Sequence, residues 1–180
     1  MSERTKNSNF ISQKKIAGIY ILAILSFVVL LAIDQVSKYW INANLELYHS
    51  IPIIEDVFEI HYIHNYGAAF GLFQNKQIVF VIFTIIALVL GSFYFNRCVQ
   101  TGKFKALQIS IVLILAGAVG NLIDRLLYQY VIDFLYFKLI DFPVFNIADC
   151  YVTVGFFLAV ILILFVYKDE DLEALFPKKE

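Results

Sequence analysis

Two aspartates, Asp133 and Asp149, are the residues of this sequence best suited to chemistry. Asp149 opens a long apolar run and Asp133 lies 16 positions earlier, in the preceding loop, so the chain can bring them together. Two carboxyls a few ångströms apart share one proton, because they do not both ionise easily. Such a pair can deprotonate water and protonate a carbonyl oxygen, which is peptide hydrolysis without a metal. From spacing alone, a helix N-terminal aspartate and a solvated loop aspartate remain the alternative.

Asparagines accompany these acids at a regular spacing. Asn121 precedes Asp124 by three positions, and Asn146 precedes Asp149 by three, which places each pair on one helix face. A carboxamide both donates and accepts hydrogen bonds, so either asparagine can orient a carboxylate or hold a peptide backbone. Asp124, next to Arg125, is a third candidate acid. We favour instead an ion-pair network that ties the end of its helix to neighbouring segments.

Other polar pairs indicate structure more than chemistry. Asp34 and Lys38 have the i, i+4 spacing of a helical ion pair, and we expect them to anchor the fold. Ser37 and Lys38 are adjacent and invite comparison with Ser/Lys hydrolases. Neighbouring side chains on a helix point about 100° apart, however, so these two are badly placed to share a proton. His61 and His64 lie in a predicted strand, where their spacing puts them on opposite faces. The sequence therefore predicts no metal and no cofactor.

The composition is that of a membrane protein. Hydrophobic residues make up 61% of the 180 residues and charged residues 16%, far from the balance of soluble globular proteins. The formal net charge of −1 gives no argument for nucleic acid as a partner. Neither Cys98 nor Cys150 has the spacing of a metal knuckle. We predict one integral membrane domain over residues 1–180.

Four runs without charged residues can each cross a bilayer, which takes about 17 to 25 residues. The first run follows a basic segment, as in a secretory signal peptide, but no small-x-small cleavage site follows it, so we expect a retained anchor. The predicted transmembrane helices are listed by approximate residue range: 16–36, 74–96, 105–125 and 147–168.

The basic residues predict the orientation. Ten of the fourteen lysines and arginines lie in the N-terminal segment, in the 97–105 loop and in the C-terminal tail, all on one side of a four-helix topology. By the positive-inside rule, both termini are cytoplasmic. Asp133 and Asp149 are then at the extracytoplasmic face.

Two segments connect helices on that outer face. In the first, at about 40–72, residues 57–64 partly alternate apolar and polar, with Phe58, Ile60 and Tyr62 on one face, which is typical of a half-buried strand. In the second, at about 126–146, we expect a short amphipathic or irregular piece at 128–139. The predicted fold class is an all-α membrane protein with four transmembrane helices and a small β-rich extracytoplasmic lobe.

Five motifs, in order along the chain, resemble those of the lipoprotein signal peptidase family, also called signal peptidase II. They are D-Q-x-x-K ending at Lys38, N-Y-G-A-A-F-G from Asn65, G-N-x-x-D-R from Gly120, V-x-D-F around Asp133, and F-N-x-A-D ending at Asp149 with Gly155 beyond. Each motif alone is weak, but five in order on four predicted spans are specific. The chain departs from the family pattern at Tyr66, where the family usually has Thr, and at Ala116, where it usually has Gly.

The resemblance implies an intramembrane aspartyl endopeptidase of the bacterial cytoplasmic (inner) membrane. Such an enzyme cuts prolipoproteins on the N-terminal side of a cysteine that carries diacylglycerol. It also implies a catalytic pair, Asp133 and Asp149, and inhibition by globomycin, a cyclic peptide that occupies the substrate site. The residues implied to support the site or the substrate are Asn65, Asn121, Asp124, Arg125 and Asn146. We expect a monomer whose partners are lipid-modified prolipoproteins and membrane lipids.

The chemistry of a lipid-modified substrate fits a site at the outer membrane face. Each buried CH₂ of a lipid anchor is worth about 0.8 kcal/mol, so a diacylglyceryl cysteine stays in the bilayer and the enzyme must meet it near the surface, where water is available. A small-residue pocket around Gly67 and Ala68 would admit the small residues that precede the cysteine. The main alternative is a transporter or proton relay, but the acids lie at one face and no second half repeats the first. A purely structural subunit would leave the polar cluster unexplained.

Overall fold

The computed structural model of the chain describes residues 13–67 and 77–176. In chain order, its elements are α1 (Gln13–Asn44), β1 (Ser50–Ile54), β2 (Phe58–Asn65), α2 (Gln77–Thr101), α3 (Lys105–Tyr128), β3 (Val131–Tyr136), a 3-10 turn (Lys138–Ile140), α4 (Ile147–Ile161), a π-helical turn (Leu162–Val166) and α5 (Asp169–Glu173).

Within the described residues, four helices are long and apolar enough to cross a membrane. They contain 32, 25, 24 and 20 residues, when α4 is taken together with its π-helical turn. About 20 residues, rising 1.5 Å each, cross a hydrocarbon core about 30 Å thick. The predicted set of four spanning helices, accompanied by a small sheet, is therefore confirmed.

The first helix, α1, continues about two turns beyond its predicted end near residue 36. The reason is a buried face: Asp34, Lys38 and Ile41 follow one another at i, i+4 and i+7, and all three are buried. The extra turns carry Ile41 up to the sheet. The helix thus joins the membrane-spanning bundle to the sheet beside it.

The third helix, α3, lies at the centre of the bundle and packs against α1, α2 and α4. Its contact with α4 is close because two glycines lack side chains. A Cβ on Gly117 would overlap the carbonyl oxygen of Ala148, and a Cβ on Gly155 would meet the backbone of Ser110. This close approach brings the polar C-terminal end of α3 against the N-terminus of α4.

The three strands form an antiparallel sheet in the order β1-β2-β3. The expected amphipathic or irregular piece at 128–139 is wrong, since half of this segment is β3, which pairs with β2 so that Ile63 is opposite Asp133. The first four residues of β3 are all buried, so the strand lacks the alternation that marks a half-exposed strand. The sheet therefore combines strands from both predicted outer segments.

A second apolar core joins the sheet to the end of α1, and its buried members are Ile41, Tyr62, Ile132 and Phe134. The predicted face of Phe58, Ile60 and Tyr62 is interrupted. An irregularity in the β2–β3 register between Ile60 and Ile63 leaves Tyr62 buried but Phe58 and Ile60 only half-buried. This core fixes β2 and β3 above the helix ends, where each strand supplies a polar residue to the site.

Candidate active site

The N-terminus of α4 is closed by a reciprocal capping box. The side chain of Asn146 accepts a hydrogen bond from the backbone N–H of Asp149 at 3.0 Å, and Asp149 Oδ2 accepts one from the backbone N–H of Asn146 at 3.1 Å. Asn146 has extended backbone angles, so it caps the helix instead of lying on its face as the spacing predicted. The cap holds the Asp149 carboxylate in the first helical turn, where the helix dipole favours negative charge.

Asp133 enters the same site from β3. Its side chain is buried, and two carboxamides hold its two oxygens: Asn146 Nδ2 donates to Oδ1 at 2.6 Å, and Asn65 Nδ2 donates to Oδ2 at 2.7 Å. Asn65 ends β2, and the β2–β3 pairing is what brings it alongside Asp133. Each strand thus contributes one partner of this hydrogen-bonded group.

The structure brings the two sequence-selected aspartates into one cluster. Asn146 contacts both, through its side chain to Asp133 and through its backbone to Asp149. Asn121 completes the cluster: its Nδ2 donates to Asp149 Oδ1 at 2.7 Å, and its Oδ1 accepts from Asn146 Nδ2 at 3.0 Å. Within the described part of the chain, neither carboxylate of the pair forms an ion pair.

The environment of Asp133 favours its neutral form. Burial, and next the negative charge of Asp149, raise the pKa of Asp133 to about 8. The hydrogen bonds from Asn65 and Asn146 and the charge of Lys38 act in the opposite direction but do not offset burial. A carboxyl that keeps its proton at neutral pH, beside a second carboxyl, is the arrangement in which one group serves as acid and the other as base.

A separate ion-pair network lies beside this cluster. Lys38 Nζ is 3.0 Å from Asp34 Oδ2, 3.1 Å from Asp124 Oδ2 and 2.9 Å from Asn121 Oδ1, and these three charged side chains are at most 2% exposed. The second oxygen of Asp34 accepts from the backbone N–H of Ala148 at 2.9 Å. The network expected for Asp124 is therefore formed with Lys38 of α1 and not with the neighbouring arginine.

Gln35 belongs to this network and was not selected from the sequence. Its Nε2 lies 3.1 Å from Asp34 Oδ2, from the Gly120 carbonyl oxygen and from Asp124 Oδ1. A Cβ on Gly120 would collide with the Asp34 carboxylate, so the glycine is required for this contact. The signal for Gln35 was present in the D-Q-x-x-K motif, but its partner residues are 85 and 89 positions away.

Arg125 connects α3 to the first outer segment. Its Nη2 donates to the Gly67 carbonyl oxygen at 3.1 Å, and its guanidinium lies 4.1 Å from the centre of the Phe80 ring. The Gly67 N–H in turn donates to Asn65 Oδ1 at 2.9 Å. Arg125 Nε is buried without a hydrogen-bond partner among the described residues, so one donor remains available. Ala68, also selected from the sequence, lies outside the described residues.

A cavity of about 540 Å³ opens at the two carboxyls. Its polar side consists of Asn65, Gly67, Asn121, Arg125, Asp133 and Asp149, and the rest of its wall, which is mostly apolar, consists of Val131, Phe142, Pro143, Val144, Phe145, Cys150, Thr153 and Val154. An extended peptide can bond to the polar side while an apolar substituent lies against the wall. The residues that the structure describes contain no cluster of His, Cys, Asp or Glu suited to a metal ion.

Comparisons with known proteins agree on one family. The family described as signal peptidase (SPase) II matches residues 26–165. A lipoprotein signal peptidase of Clostridioides difficile (strain 630) is 44% identical over 145 residues, which cover 80% of this chain and 95% of that protein. A lipoprotein signal peptidase of Clostridium tetani (strain Massachusetts / E88) is 39% identical over 155 residues, which cover 84% of this chain and 96% of that protein.

Two solved structures resemble the chain in fold. A bacterial membrane enzyme determined by the in meso method at 2.3 Å resolution has a TM-score of 0.74 and 37% identity, covering 79% of this chain and 87% of that chain. A second bacterial membrane enzyme, determined by the same method at 1.9 Å resolution, has a TM-score of 0.70 and 34% identity, covering 81% and 94%.

Proposed function

The chain belongs to the signal peptidase II family, and we propose that it is an aspartic endopeptidase that cuts on the N-terminal side of a diacylglyceryl-modified cysteine. Membership makes it a multi-pass membrane protease that removes the signal peptides of prolipoproteins. The proposal adds the catalytic type, the position of the cut and the residues that perform it.

One observation carries the proposal: Asp133 and Asp149 are held in one hydrogen-bonded cluster at a cavity, and burial raises the pKa of Asp133 to about 8. The pair then carries one proton at neutral pH. The ionised carboxylate takes a proton from water, and the neutral carboxyl gives its proton to the oxygen of the scissile carbonyl. The water oxygen attacks the carbonyl carbon and forms a gem-diol intermediate. As the C–N bond then breaks, the carboxyl that took the proton from water passes it to the leaving amine, and the other carboxylate regains its proton from a diol hydroxyl.

The carboxamides keep this pair in place. Asn65 and Asn146 hold the two oxygens of Asp133, and Asn121 holds one oxygen of Asp149. Neutral donors orient the carboxyls without supplying the positive charge that would keep both ionised. Arg125, with its buried Nε unpaired, supports the substrate backbone by donating to a peptide carbonyl.

Substrate binding follows from the two sides of the cavity. The apolar wall formed by Phe142, Val144 and Phe145 accepts the lipid-bearing end of the substrate, which remains in the bilayer. Gly67, which lines the cavity, leaves space for the small residues before the cysteine. Because the basic segments mark the cytoplasmic side, the active site is extracytoplasmic, both termini are cytoplasmic, and the protein acts in the cytoplasmic (inner) membrane.

A gel-shift cleavage assay tests the proposal. Purified protein in detergent is mixed with a prolipoprotein that carries diacylglycerol, and with the same prolipoprotein without lipid. We expect cleavage of the lipid-modified form alone, inhibition by globomycin, and no cleavage by Asp133→Asn or Asp149→Asn.

The outcomes separate the competing functions. Near-normal turnover by either asparagine variant would refute the catalytic pair. Equal cleavage of the unmodified prolipoprotein would refute the requirement for lipid. A folded wild-type protein that cleaves neither form would refute peptidase activity and direct attention to the transport alternative, with ion flux in proteoliposomes as the assay.

A further inference from the structure

A second cavity, of about 450 Å³, lies between α1 and α3 and shares no residue with the one at the aspartates. One side is a stripe of α1, the other a stripe of α3, and Phe95 of α2 lies between them. The full lining is Lys15, Ile19, Leu22, Ala23, Ser26, Leu30, Phe95, Lys105, Gln108, Ile109, Val112 and Leu113. We call this cavity the α1–α3 groove.

The groove is as deep as one leaflet of a bilayer. Along α3 it extends from Lys105 to Leu113, which is about 12 Å, and along α1 from Lys15 to Leu30, about 22 Å, at 1.5 Å per residue. Half of the hydrocarbon core is about 15 Å. An acyl chain that starts at the basic end therefore fits along the apolar part of the groove.

The mouth of the groove carries positive charge. Lys15 and Lys105 line it, both are exposed, and neither forms an ion pair with the described residues. Nearby Lys103 differs, since its Nζ is paired with Asp171 at 2.9 Å. The lysines at the mouth thus favour an anion. The same charges disfavour a second copy of this mouth as the occupant.

A buried amide inside the groove indicates what lies just below that anion. Gln108 is only 8% exposed and lines the groove, yet its side chain forms no hydrogen bond with any residue that the structure describes. No described protein group therefore occupies this amide, which lines the groove and can bond to a ligand there. Gln108 is one helical turn from Lys105, about 4.5 Å deeper along α3. In a glycerophospholipid, the ester carbonyls occupy this depth below the phosphate.

We propose that the α1–α3 groove binds an anionic glycerophospholipid. Its phosphate lies between Lys15 and Lys105, an ester carbonyl accepts a hydrogen bond from Gln108, and one acyl chain follows Ile19, Ala23 and Val112 down the groove. A protein helix could also cover the apolar surface of the groove. A glycerophospholipid matches the groove better, because its phosphate and its ester carbonyl lie at the depths of the two lysines and of Gln108. The bound lipid would fill the space between α1 and α3 at the end of the bundle far from the aspartates.

Native mass spectrometry of the full chain in neutral detergent tests the proposal. The probes are dioleoyl phosphatidylglycerol and dioleoyl phosphatidylcholine, which have identical acyl chains and ester groups. We expect one tightly retained phosphatidylglycerol. For Lys15→Gln with Lys105→Gln, its affinity should fall about 30-fold, to that of phosphatidylcholine. The matched control, Lys14→Gln with Lys103→Gln, removes the same charge beside the groove and should bind as wild type does.

Two further experiments test the roles of Gln108 and of the acyl chain. Gln108→Leu should weaken both lipids about equally, because the ester carbonyl is common to them, and it should fold, because the amide makes no hydrogen bond with the described residues that the variant would lose. Glycerol 3-phosphate should not displace the lipid, since it has no acyl chain. The proposal is overturned if both double variants lose equal affinity, if Gln108→Leu binds both lipids normally, or if glycerol 3-phosphate displaces phosphatidylglycerol.

Discussion

Asp124 and Asp133 are nine residues apart and equally buried, each 1% exposed, but their surroundings are opposite. Asp124 lies 3.1 Å from Lys38 Nζ and also accepts a hydrogen bond from the backbone N–H of Ile132. Asp133 is held by the carboxamides of Asn65 and Asn146. Burial alone therefore does not decide what a carboxyl does.

The groups beside a buried carboxyl decide its role. A buried carboxylate beside a lysine forms an ion pair, and breaking such a pair costs about 3–5 kcal/mol because an uncompensated charge is left inside. A buried carboxyl beside another carboxyl, with neutral carboxamides as its hydrogen-bond donors, keeps a proton to higher pH. The first environment builds structure, and the second is the one for which we propose acid–base chemistry.

Asn121 connects the two regions. Its Oδ1 accepts from Lys38 Nζ at 2.9 Å, while its Nδ2 donates to Asp149 Oδ1 at 2.7 Å. The lysine therefore fixes which way the carboxamide points, and the carboxamide in turn fixes Asp149. A substitution that breaks the ion-pair network should therefore also change the position of the Asp149 carboxyl, through Asn121.

The largest expected effect is on activity alone. Asp133→Asn or Asp149→Asn removes the shared proton and should lower the rate of cleavage by about 10²–10⁴-fold or more, while the thermal midpoint of unfolding stays near that of wild type. Cleavage rates and thermal unfolding of the purified variants are the measurements. The control is Asp141→Asn, an exposed outer-loop aspartate bonded to Tyr136, which should cleave normally. Equal losses in the control and in the pair variants would contradict the assignment.

The next largest effect is expected for Lys38, the cation of the ion-pair network. Lys38→Met leaves Asp34 and Asp124 buried without their partner and should lower the free energy of unfolding by about 3–5 kcal/mol, with a drop of the order of 10 °C in the midpoint. The matched control is Lys103→Met, an exposed lysine whose ion pair with Asp171 lies at the surface, so less than about 1 kcal/mol should be lost. Similar midpoints for the two variants would refute a structural role for the buried network.

A smaller loss of stability is expected from the other end of this network. Asp124→Ala leaves Lys38 paired with Asp34, but the buried backbone N–H of Ile132 loses its acceptor. The free energy of unfolding should therefore fall by about 2 kcal/mol. Protein yield and activity should fall together. Unchanged yield and unfolding midpoint, with activity abolished, would instead make Asp124 part of the chemistry.

The smallest effect is a displacement of the pH profile. The pKa of Asp133 is raised to about 8, so its proton is present below that pH, and cleavage should decline as pH rises through about 8. The hydrogen bond from Asn65 lowers this pKa, and therefore Asn65→Ala should move the alkaline limb to higher pH. Rates measured from pH 6 to 10 test this. A limb that moves to lower pH, or does not move, would contradict the role of Asn65.

The sequence by itself determined the spanning helices and the residue types at the site. Hydropathy is a local property, so runs of apolar residues predict helices without knowledge of what they pack against. The five ordered motifs pointed to the same family that the comparisons identify, and the aspartate pair was selected from residue types and spacing as well as from that resemblance. Local information therefore reached as far as the number of spanning helices, the family and the list of polar residues.

Only the tertiary structure decided how those residues are partnered. β3 became recognisable through its pairing with β2, because all of its first four residues are buried and carry no alternation. Lys38 meets Asp124 across 86 positions of sequence, and Asn65 meets Asp133 across 68. Such contacts depend on how close helix packing and strand register bring distant segments. That packing makes one aspartate half of an ion pair and places another in the pair that we propose shares a proton.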